Sequence, residues 1–311
     1  MNQHFLQSES WQAFQEALGR TTFRRSGEGW EYLAVLERGT GHTRLYCPYG
    51  PTARDEAAFT AALESLVQLG RQHRATFVRV EPTDPTYADY LRTRHWRKVT
   101  YQQLQPEHSH LLDLTQPTDE LIAQMAQPVR NIYRNYHKKG VTVHHSTNPQ
   151  DIDILLTFVH EVAQRTGIRP HSDAYFRQQA KILFPRGAAQ LWYATLDDQP
   201  IAAALLYSSD TTLYYAHAGA SSQPEHRKLN AGTALLAEAI IDAQKRGLTT
   251  VDLYGIAPDN APPSHPWAGF TRFKRSFGGH DVTFAGAWDL PLRSLPYWLY
   301  RTYQALRSGR R

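Results

Sequence analysis

A run of cations in the middle of the chain repeats at helical spacing. Arg130, Arg134 and Lys138 are four residues apart, and no acidic residue lies between them. On a helix this spacing places the three side chains on one face. Their positive field would suit polyphosphates, nucleic acid or an anionic membrane surface, and a solvated helix face is the alternative.

A carboxylate stands near the end of a predicted strand in the second half. Asp252 precedes Gly255 by three residues. If burial raised its pKa, this side chain could accept a proton from an amine, and the alternative is a hydrogen bond to the backbone of the following turn. The histidines lack HExxH-like spacing and Cys47 is the single cysteine, so no metal site or disulfide is predicted.

The composition is that of a folded protein. Of 311 residues, 41% are hydrophobic and 12% aromatic, which excludes a disordered chain and predicts two domains or one large α/β unit. The longest apolar run, 201–207, is far shorter than the ~18 residues of a membrane span, and the start does not resemble a secretion signal. We therefore expect a cytoplasmic protein. Of the net charge of +5, the segment 272–311 holds eight basic and two acidic residues.

Both halves of the chain show one order of predicted elements, namely strands with short turns, a helix, and a further strand. In the second half these are strands 191–196, 201–207 and 211–218, helix 231–246 and strand 249–254. In the first half they are strands 31–37 and 43–49, helix 55–70 and strand 75–80. A duplicated α/β domain follows, with its boundary near residue 145, after a predicted helix at 118–139 and a strand at 141–144.

The loop before the second helix resembles the pyrophosphate loop of GNAT acyltransferases, whose pattern is [Q/R]-x-x-G-x-[G/A]. The matching residues run from Arg227 to Gly232, with Asn230 in place of the first glycine. A loop that presents backbone amides usually needs a positive φ there, which Asn tolerates less well than Gly. This departure favours a GNAT-derived domain with a donor other than acetyl-CoA.

Over nearly its whole length the chain resembles the FemABX family of peptidoglycan aminoacyltransferases. The motifs that agree, in order, are Ser10-Trp11-Gln12-Ala13-Phe14, Tyr46-Cys47-Pro48-Tyr49-Gly50-Pro51, Arg130 and Arg134 with Lys138-Lys139-Gly140-Val141, Ala218-Gly219-Ala220-Ser221-Ser222, Asp252-Leu253-Tyr254-Gly255-Ile256 and Phe273-Lys274-Arg275-Ser276-Phe277-Gly278. The resemblance implies an α/β (α+β) protein of two tandem GNAT-like domains, with mixed sheets flanked by helices. The domains would span 1–145 and 146–287, without a coiled-coil arm.

The resemblance also implies a function. The enzyme would transfer an amino acid from aminoacyl-tRNA to the stem-peptide amine of UDP-MurNAc-pentapeptide or lipid II, forming an interpeptide bridge, with no cofactor besides the charged tRNA. Both partners are polyanions, which fits the basic stripes. The donated amino acid, the acceptor amine and the general base stay open.

Site residues follow from the matched motifs. Lys274 and Phe273 would lie at the acyl-transfer site, with Lys274 near the ester and Phe273 against the terminal adenine, unless Phe273 and Phe277 only pack in the core. Where relatives carry an Arg for the diphosphate, this chain has His171, and Arg169 is the alternative cation. The substrate-binding candidates are Arg169, His171, Tyr175, Tyr215, His217, Tyr254 and Tyr49, and the candidates for tRNA phosphates are Arg130, Arg134, Lys138 and Arg227.

The C-terminal segment carries an apolar stripe with arginines elsewhere. Leu295, Trp298, Leu299, Tyr303 and Leu306 share one helical face. Such a helix could contact the inner face of the cytoplasmic membrane peripherally, but we expect residues 288–311 to pack back on the first domain through this stripe.

Two other functions remain open from the sequence. One is an acyl-CoA-dependent GNAT N-acyltransferase that uses the loop at Arg227. The other is a non-catalytic module that binds nucleic acid or the precursor.

Overall fold

The chain forms two compact units in the computed structural model, which describes residues 3–167 and 170–308. Unit 1 contains the residues up to Glu107 and those from Thr283 onward, and unit 2 runs from His108 to Val282. In the described part of the chain, no helix is long and apolar enough to cross a membrane.

Unit 1 consists of a mixed sheet with helices. Its elements are α1 (Glu9–Ala17), β1 (Thr21–Gly27), β2 (Trp30–Gly39), β3 (His42–Cys47), β4 (Thr52–Ala53), α2 (Glu56–Gln72), β5 (Phe77–Val80), α3 (Tyr87–Thr93) and β6 (Arg97–Lys98), followed after unit 2 by β14 (Trp288–Pro291) and α11 (Ser294–Ser308). The strand order is β1-β2-β3-β5-β14-β6, and β4 pairs with β2. Apolar residues of α2 pack on this sheet, including Phe59, Leu66 and Leu69.

Unit 2 repeats this plan with more helices. Its elements are β7 (His108–Asp113), α4 (Thr118–Gln124), α5 (Gln127–Asn135), β8 (Val141–Ser146), α6 (Ile152–Thr166), α7 (Asp173–Leu183), β9 (Ala189–Leu196), β10 (Gln199–Ser208), β11 (Thr212–Ala220), α8 (Pro224–Arg227), α9 (Ala231–Lys245), β12 (Thr250–Gly255), α10 (Ala268–Arg275) and β13 (His280–Thr283). The strand order is β13-β7-β12-β11-β10-β9-β8. The largest core cluster forms where α9 packs on this sheet.

The duplication predicted from the sequence is confirmed at the level of topology. In each unit three antiparallel strands lead into a helix and then into a strand parallel to the third: β1-β2-β3, α2 and β5 in unit 1, and β9-β10-β11, α9 and β12 in unit 2. The sequence reading missed β1. Its segment, Thr21–Gly27, is only partly buried and has no apolar run.

The predicted boundary near residue 145 is wrong, because the units divide at Glu107 and His108. The reason is strand pairing: β7 pairs antiparallel with β12, with Leu111 opposite Asp252. Conversely, β14 pairs with β5 and β6, so the C-terminal segment belongs to unit 1 as expected. Each sheet is therefore completed by a strand that follows the other unit along the chain.

The predicted helix at 118–139 is broken. Met125 and Ala126 have extended backbone between α4 and α5, and a 3-10 turn at Tyr136–Lys139 follows α5. The i, i+4, i+8 geometry expected for the three cations therefore does not hold at Lys138. Pro128 in the first turn of α5 favours a new helix start at this point.

The C-terminal helix α11 packs on unit 1, but not through the predicted face. Tyr297 and Tyr300 are buried against Phe77, at ring distances of 5.2 and 5.0 Å. The stripe of Leu295, Trp298, Leu299, Tyr303 and Leu306 is exposed. The prediction that this stripe packs on the first domain is therefore wrong, because the hydroxyls of the two buried tyrosines find partners inside unit 1, in Asp289 and Gln102.

Candidate active site

Lys274 is a buried cation in unit 2. It lies on α10, is 9% exposed, and its Nζ donates a hydrogen bond to the Gly255 carbonyl at 2.7 Å. Burial lowers the pKa of Lys274 to about 8, against the opposing charge of Asp252. Lys274 is therefore not a solvated residue that flanks a core of phenylalanines. Its ammonium has three N–H groups, of which one donates to Gly255, and the others can donate to a substrate.

The acceptor for Lys274 is made available by an irregularity in β12. The register with β7 shifts between Asp252 and Gly255, and Tyr254 has a φ of 59°. Such a bulge removes a residue from the ladder and redirects its backbone groups. The Gly255 carbonyl consequently holds the ammonium of Lys274 at the end of the strand.

Asp252 organises this bulge. It is buried, and its Oδ1 accepts hydrogen bonds from the Ser109 hydroxyl and, at 2.7 Å, from the Tyr254 amide. Burial raises the pKa of Asp252, although these two hydrogen bonds and the charge of Lys274 oppose the rise. Because its oxygen is engaged by the turn, the contacts favour a positioning role over that of general base.

The end of α10 is fixed by a turn of two glycines. Gly278 and Gly279 have φ values of 85° and 87°, and a Cβ on Gly279 would collide with the Leu111 carbonyl. The buried His110 forms hydrogen bonds on both sides of this turn. Its Nε2 lies 2.5 Å from the Gly278 carbonyl oxygen, and its Nδ1 lies 2.5 Å from the Asp281 carboxylate. The Phe-Gly-Gly segment therefore holds α10, and with it Lys274, against β7.

Phe273 and Tyr215 lie on the same side of the sheet as the α9 core. Phe273 is half-buried, 5.1 Å from the Phe277 ring and 6.4 Å from that of Tyr215. The Tyr215 hydroxyl makes no hydrogen bond to any described residue, and burial raises the pKa of that phenol. Phe273 thus both packs in the core and, with Tyr215, offers a ring surface and a hydroxyl.

A second cluster in unit 2 collects other predicted residues. His217 on β11 lies with its ring 5.0 Å from Phe176 and 6.3 Å from His171, and His171 stacks on Tyr175 at 4.0 Å. β11 bulges between Tyr215 and His217, so these two side chains take part in different clusters. Burial lowers the pKa of His217 to about 4, with a contribution from His171, so His217 is neutral at pH 7.

Gln179 belongs to this cluster, and sequence reasoning missed it. Its Nε2 donates to the Tyr207 hydroxyl at 2.7 Å, whereas its fully buried Oε1 accepts no hydrogen bond from any described residue. The ring nitrogens of His217 also make no hydrogen bond to a described residue. Unsatisfied polar atoms beside stacked rings are typical of a binding site. Only the fold reveals this, because Gln179 lies at an ordinary helical position.

The predicted phosphate-binding residues differ in whether their side chains are already bound by other parts of the protein. Arg130 is committed to the end of α4, where its Nη1 donates to the carbonyls of Ala123 and Met125 at 2.9 and 2.5 Å. Arg134, Lys138 and Arg227 are exposed, and none forms an ion pair with a described residue. Arg169 lies outside the described residues. Tyr254 is half-buried, with its ring 6.0 Å from that of Tyr214.

The GNAT-like loop before α9 has the backbone shape expected of it. Asn230 has a φ of 53°, the conformation that a glycine would supply. However, the amides of Leu229 and Asn230 already donate to the carbonyls of His226 and Arg227, at 3.0 and 3.2 Å. These two amides are therefore unavailable to a pyrophosphate in this conformation.

Unit 1 contains a small pocket with a buried carboxyl. The pocket is lined by Tyr49, Glu81, Pro82, Pro106 and Phe284 among others. The Glu81 Oε2 accepts a hydrogen bond from the Tyr46 hydroxyl at 2.5 Å, but no described residue donates to its buried Oε1. Burial raises the pKa of Glu81 to about 7. A hydrogen-bond donor the size of a water molecule would satisfy that oxygen.

Tyr49 forms part of this pocket wall. Its ring is almost fully buried, and its hydroxyl donates to the Pro106 carbonyl at 2.9 Å. Of the predicted residues it is therefore the one that the structure places beside Glu81. Sequence reasoning missed Glu81, because a carboxylate after a strand is ordinary until its burial is known.

Comparison with known proteins first defines the class. Residues 124–275 match a family model described as an acetyltransferase (GNAT) domain. The solved structure of FemX superposes with a TM-score of 0.84 at 16% identity, covering 96% of this chain and 95% of FemX. The chain therefore has a tandem GNAT-like fold, an acyltransferase fold, and within that class the fold of FemX. This confirms the fold prediction.

Lysylphosphatidylglycerol synthetases have a related fold. L-PGS from Bacillus licheniformis has a TM-score of 0.61 at 14% identity, covering 100% of this chain and 99% of that one. The C-terminal domain of a protein from Agrobacterium fabrum, described as a lysylphosphatidylglycerol synthetase, has a TM-score of 0.62 at 13% identity, covering 96% and 93%. No curated protein matches the sequence.

Proposed function

We propose that the protein transfers an amino acid from aminoacyl-tRNA to the stem-peptide amine of a peptidoglycan precursor, either UDP-MurNAc-pentapeptide or lipid II. The observation that carries this proposal is the buried ammonium of Lys274, held by the Gly255 carbonyl at 2.7 Å within a FemX-like fold. The reaction requires no cofactor besides the charged tRNA. Charged tRNA is cytoplasmic, and so is the proposed location of the protein.

Lys274 stabilises the negative charge that develops during acyl transfer. The acceptor amine attacks the ester carbonyl, an amide C–N bond forms, and the bond to the tRNA ribose oxygen breaks. That oxygen leaves with a proton, and the attacking nitrogen loses one. Between these steps the carbonyl oxygen becomes an oxyanion, to which a buried ammonium donates a hydrogen bond far more effectively than one in water.

The surroundings of Lys274 suit the end of a tRNA. Phe273 presents a half-buried ring next to Lys274, and Tyr215 adds a second ring and a hydroxyl. Aromatic rings stack on bases irrespective of base identity. The exposed Arg134, Lys138 and Arg227 would then contact phosphates, whereas Arg130 is occupied by α4.

The cluster around His217 suits the precursor. Stacked rings of His171 and Tyr175 and the unsatisfied oxygen of Gln179 can bind a polar, partly planar group. Because the pKa of His217 is lowered, this residue contributes hydrogen bonds and not charge. A cation for a diphosphate would have to come from His171 or Arg169.

An acyl-CoA N-acyltransferase is the second candidate, favoured by the GNAT domain match and the positive φ of Asn230. The engaged amides of Leu229 and Asn230 weigh against it. A non-catalytic binding module would leave the buried cation of Lys274 without a role.

The test is an acceptor and donor screen with the whole protein. Incubation with a mixture of charged tRNAs and either precursor should extend the muropeptide by one amino acid residue, detected by mass spectrometry and abolished by ribonuclease. Acetyl-CoA in place of tRNA should give no product, and phosphatidylglycerol as acceptor serves as a control suggested by the lysylphosphatidylglycerol synthetases. Acetylation that resists ribonuclease would establish the second candidate. Binding of both substrates without product would establish the module.

A further inference from the structure

Exposed apolar side chains are concentrated on one helix. Among the described residues, six large hydrophobic side chains are exposed, and five of them belong to α11: Leu295, Trp298, Leu299, Tyr303 and Leu306. Their exposed fractions lie between 54% and 69%. On the surface of a soluble protein such residues are usually scattered. Their concentration on the 15 residues of α11 therefore indicates a contact surface.

The five side chains form one continuous face. At 100° per residue they occupy an arc of about 140° around the helix axis. Tyr297 and Tyr300 project from the opposite side and anchor α11 to Phe77. The exposed face is therefore separate from the face that holds the helix on unit 1.

The charges around this face have one sign. Between residues 290 and 311 there are five arginines and no Asp or Glu. Arg301 is exposed and stands about 60° beyond Trp298 on the helical wheel, at the border of the apolar arc, and Arg293 is exposed at the start of α11. An apolar arc containing Trp and Tyr, bordered by cations, is typical of helices that lie in the plane of an anionic bilayer surface.

We propose that α11 docks on an anionic phospholipid surface. Trp298, Leu299 and Leu306 enter the boundary between headgroups and acyl chains, and Arg301 contacts lipid phosphates. The tyrosines on the far side keep the helix attached to unit 1 during docking. This inference does not rest on the proposed enzymatic function, because lipid binding is measured without substrates.

The test is sedimentation of the whole protein with phosphatidylcholine vesicles, with and without phosphatidylglycerol. We expect binding to the anionic vesicles, little binding to pure phosphatidylcholine, and weakening with salt. Trp298→Ser with Leu299→Ser should reduce the affinity by at least about tenfold. Arg301→Gln should reduce it by about fivefold, and only on anionic vesicles.

Phe270→Ser is the matched control, since among the described residues Phe270 is the large hydrophobic side chain that is exposed outside α11. This variant should bind vesicles like the wild type, and circular dichroism should show all variants folded. Absence of binding to anionic vesicles, or equal loss in the Phe270 variant, would overturn the proposal. So would lipid-independent self-association in sedimentation velocity that the Trp298 and Leu299 variant abolishes, because the face would then belong to a second copy.

Discussion

Lys274 and Glu81 are two buried side chains whose protonation the fold alters. Both are buried, and burial moves the pKa of each toward neutrality, to about 8 for Lys274 and about 7 for Glu81. Groups that change charge near neutral pH are common where proton transfer or charge stabilisation takes place. Each therefore predicts a measurable pH dependence.

For Lys274 the prediction concerns activity. As the pH rises through about 8 the ammonium is lost from the wild type, whereas Lys274→Arg keeps its charge. The ratio of wild-type to variant kcat should therefore fall as the pH increases through this value, in parallel assays that share one substrate. A ratio that does not change with pH would mean that the ammonium takes no part in the step.

For Glu81 the prediction concerns stability. Between the ordinary carboxyl pKa of 4.5 and about 7, the native protein keeps a proton that the unfolded chain releases, so stability should fall as the pH rises through that window. In the Glu81→Gln variant, the fall in the free energy of unfolding across this pH window should be smaller, by on the order of 3 kcal/mol. Urea unfolding at several pH values measures it, with the exposed Glu64→Gln as control. Equal slopes for wild type and Glu81→Gln would contradict the burial argument.

At this scale the sequence was a partial guide. It pointed to Lys274, Tyr215 and His217 through motif positions, and the structure places all three side chains in unit 2, buried or partly buried. It gave no indication of Gln179 or Glu81, whose unpartnered oxygens exist only because the surrounding chain buries them. The sequence also predicted a phosphate contact for Arg130, whose side chain instead donates to a carbonyl at the end of α4. A pattern of charges does not show that the end of a helix needs such a donor.

Among the elements, α10 depends on the glycine turn that follows it. Gly279 has a positive φ and lies against the Leu111 carbonyl of β7, the strand that also carries Ser109. Close approach of two backbones leaves no room for a side chain.

Gly279→Ala should therefore destabilise the protein by more than about 2 kcal/mol, through both the collision and the backbone conformation. Gly269→Ala on the same helix should be neutral or stabilising, because nothing lies within 4 Å of its added methyl group. Chemical denaturation of both variants tests this, and equal effects would show that the turn does not position α10.

Elements with strong hydrophobic periodicity were predictable, and those defined by partners were not. β10 and α9 were found almost as observed, because their apolar residues recur at strand and helix spacing. The break between α4 and α5 was missed, since Pro128 sits inside a helical pattern and only its position in the first turn of α5 reveals a new start. The apolar stripe of α11 was predicted to be buried, but it is exposed. The spacing of apolar residues defines a stripe and does not show which surface it contacts.

At the scale of the whole chain, β7 and β14 explain why the domain boundary could not be found from sequence. Each is an ordinary short strand in its local pattern, yet β7 pairs with β12 and β14 pairs with β5, strands that are far away in sequence. Local periodicity carries no information about pairing partners that are distant in sequence.

Loss of β14 should therefore unfold unit 1. Truncation after Thr283 would remove Asp289, which pairs with the fully buried Arg79 at 2.7 Å, and leave β5 without its neighbour. A buried cation deprived of its partner costs about 3 to 5 kcal/mol.

Truncation after Arg293 is the matched control, because it keeps β14 and removes α11. We expect the shorter chain to lose one cooperative transition in calorimetry, and the longer one to retain it at a lower Tm. If truncation after Thr283 left the calorimetric profile unchanged, β14 would not be essential to unit 1.

We propose that Lys274 serves acyl transfer from aminoacyl-tRNA. Its most direct test is the single-turnover rate of amino acid transfer to the precursor by the wild type and by Lys274→Ala, with saturating substrates. Removal of an oxyanion donor predicts a fall of at least about a hundredfold in a variant that circular dichroism shows to be folded. Transfer by Lys274→Ala at the wild-type rate would contradict the claim.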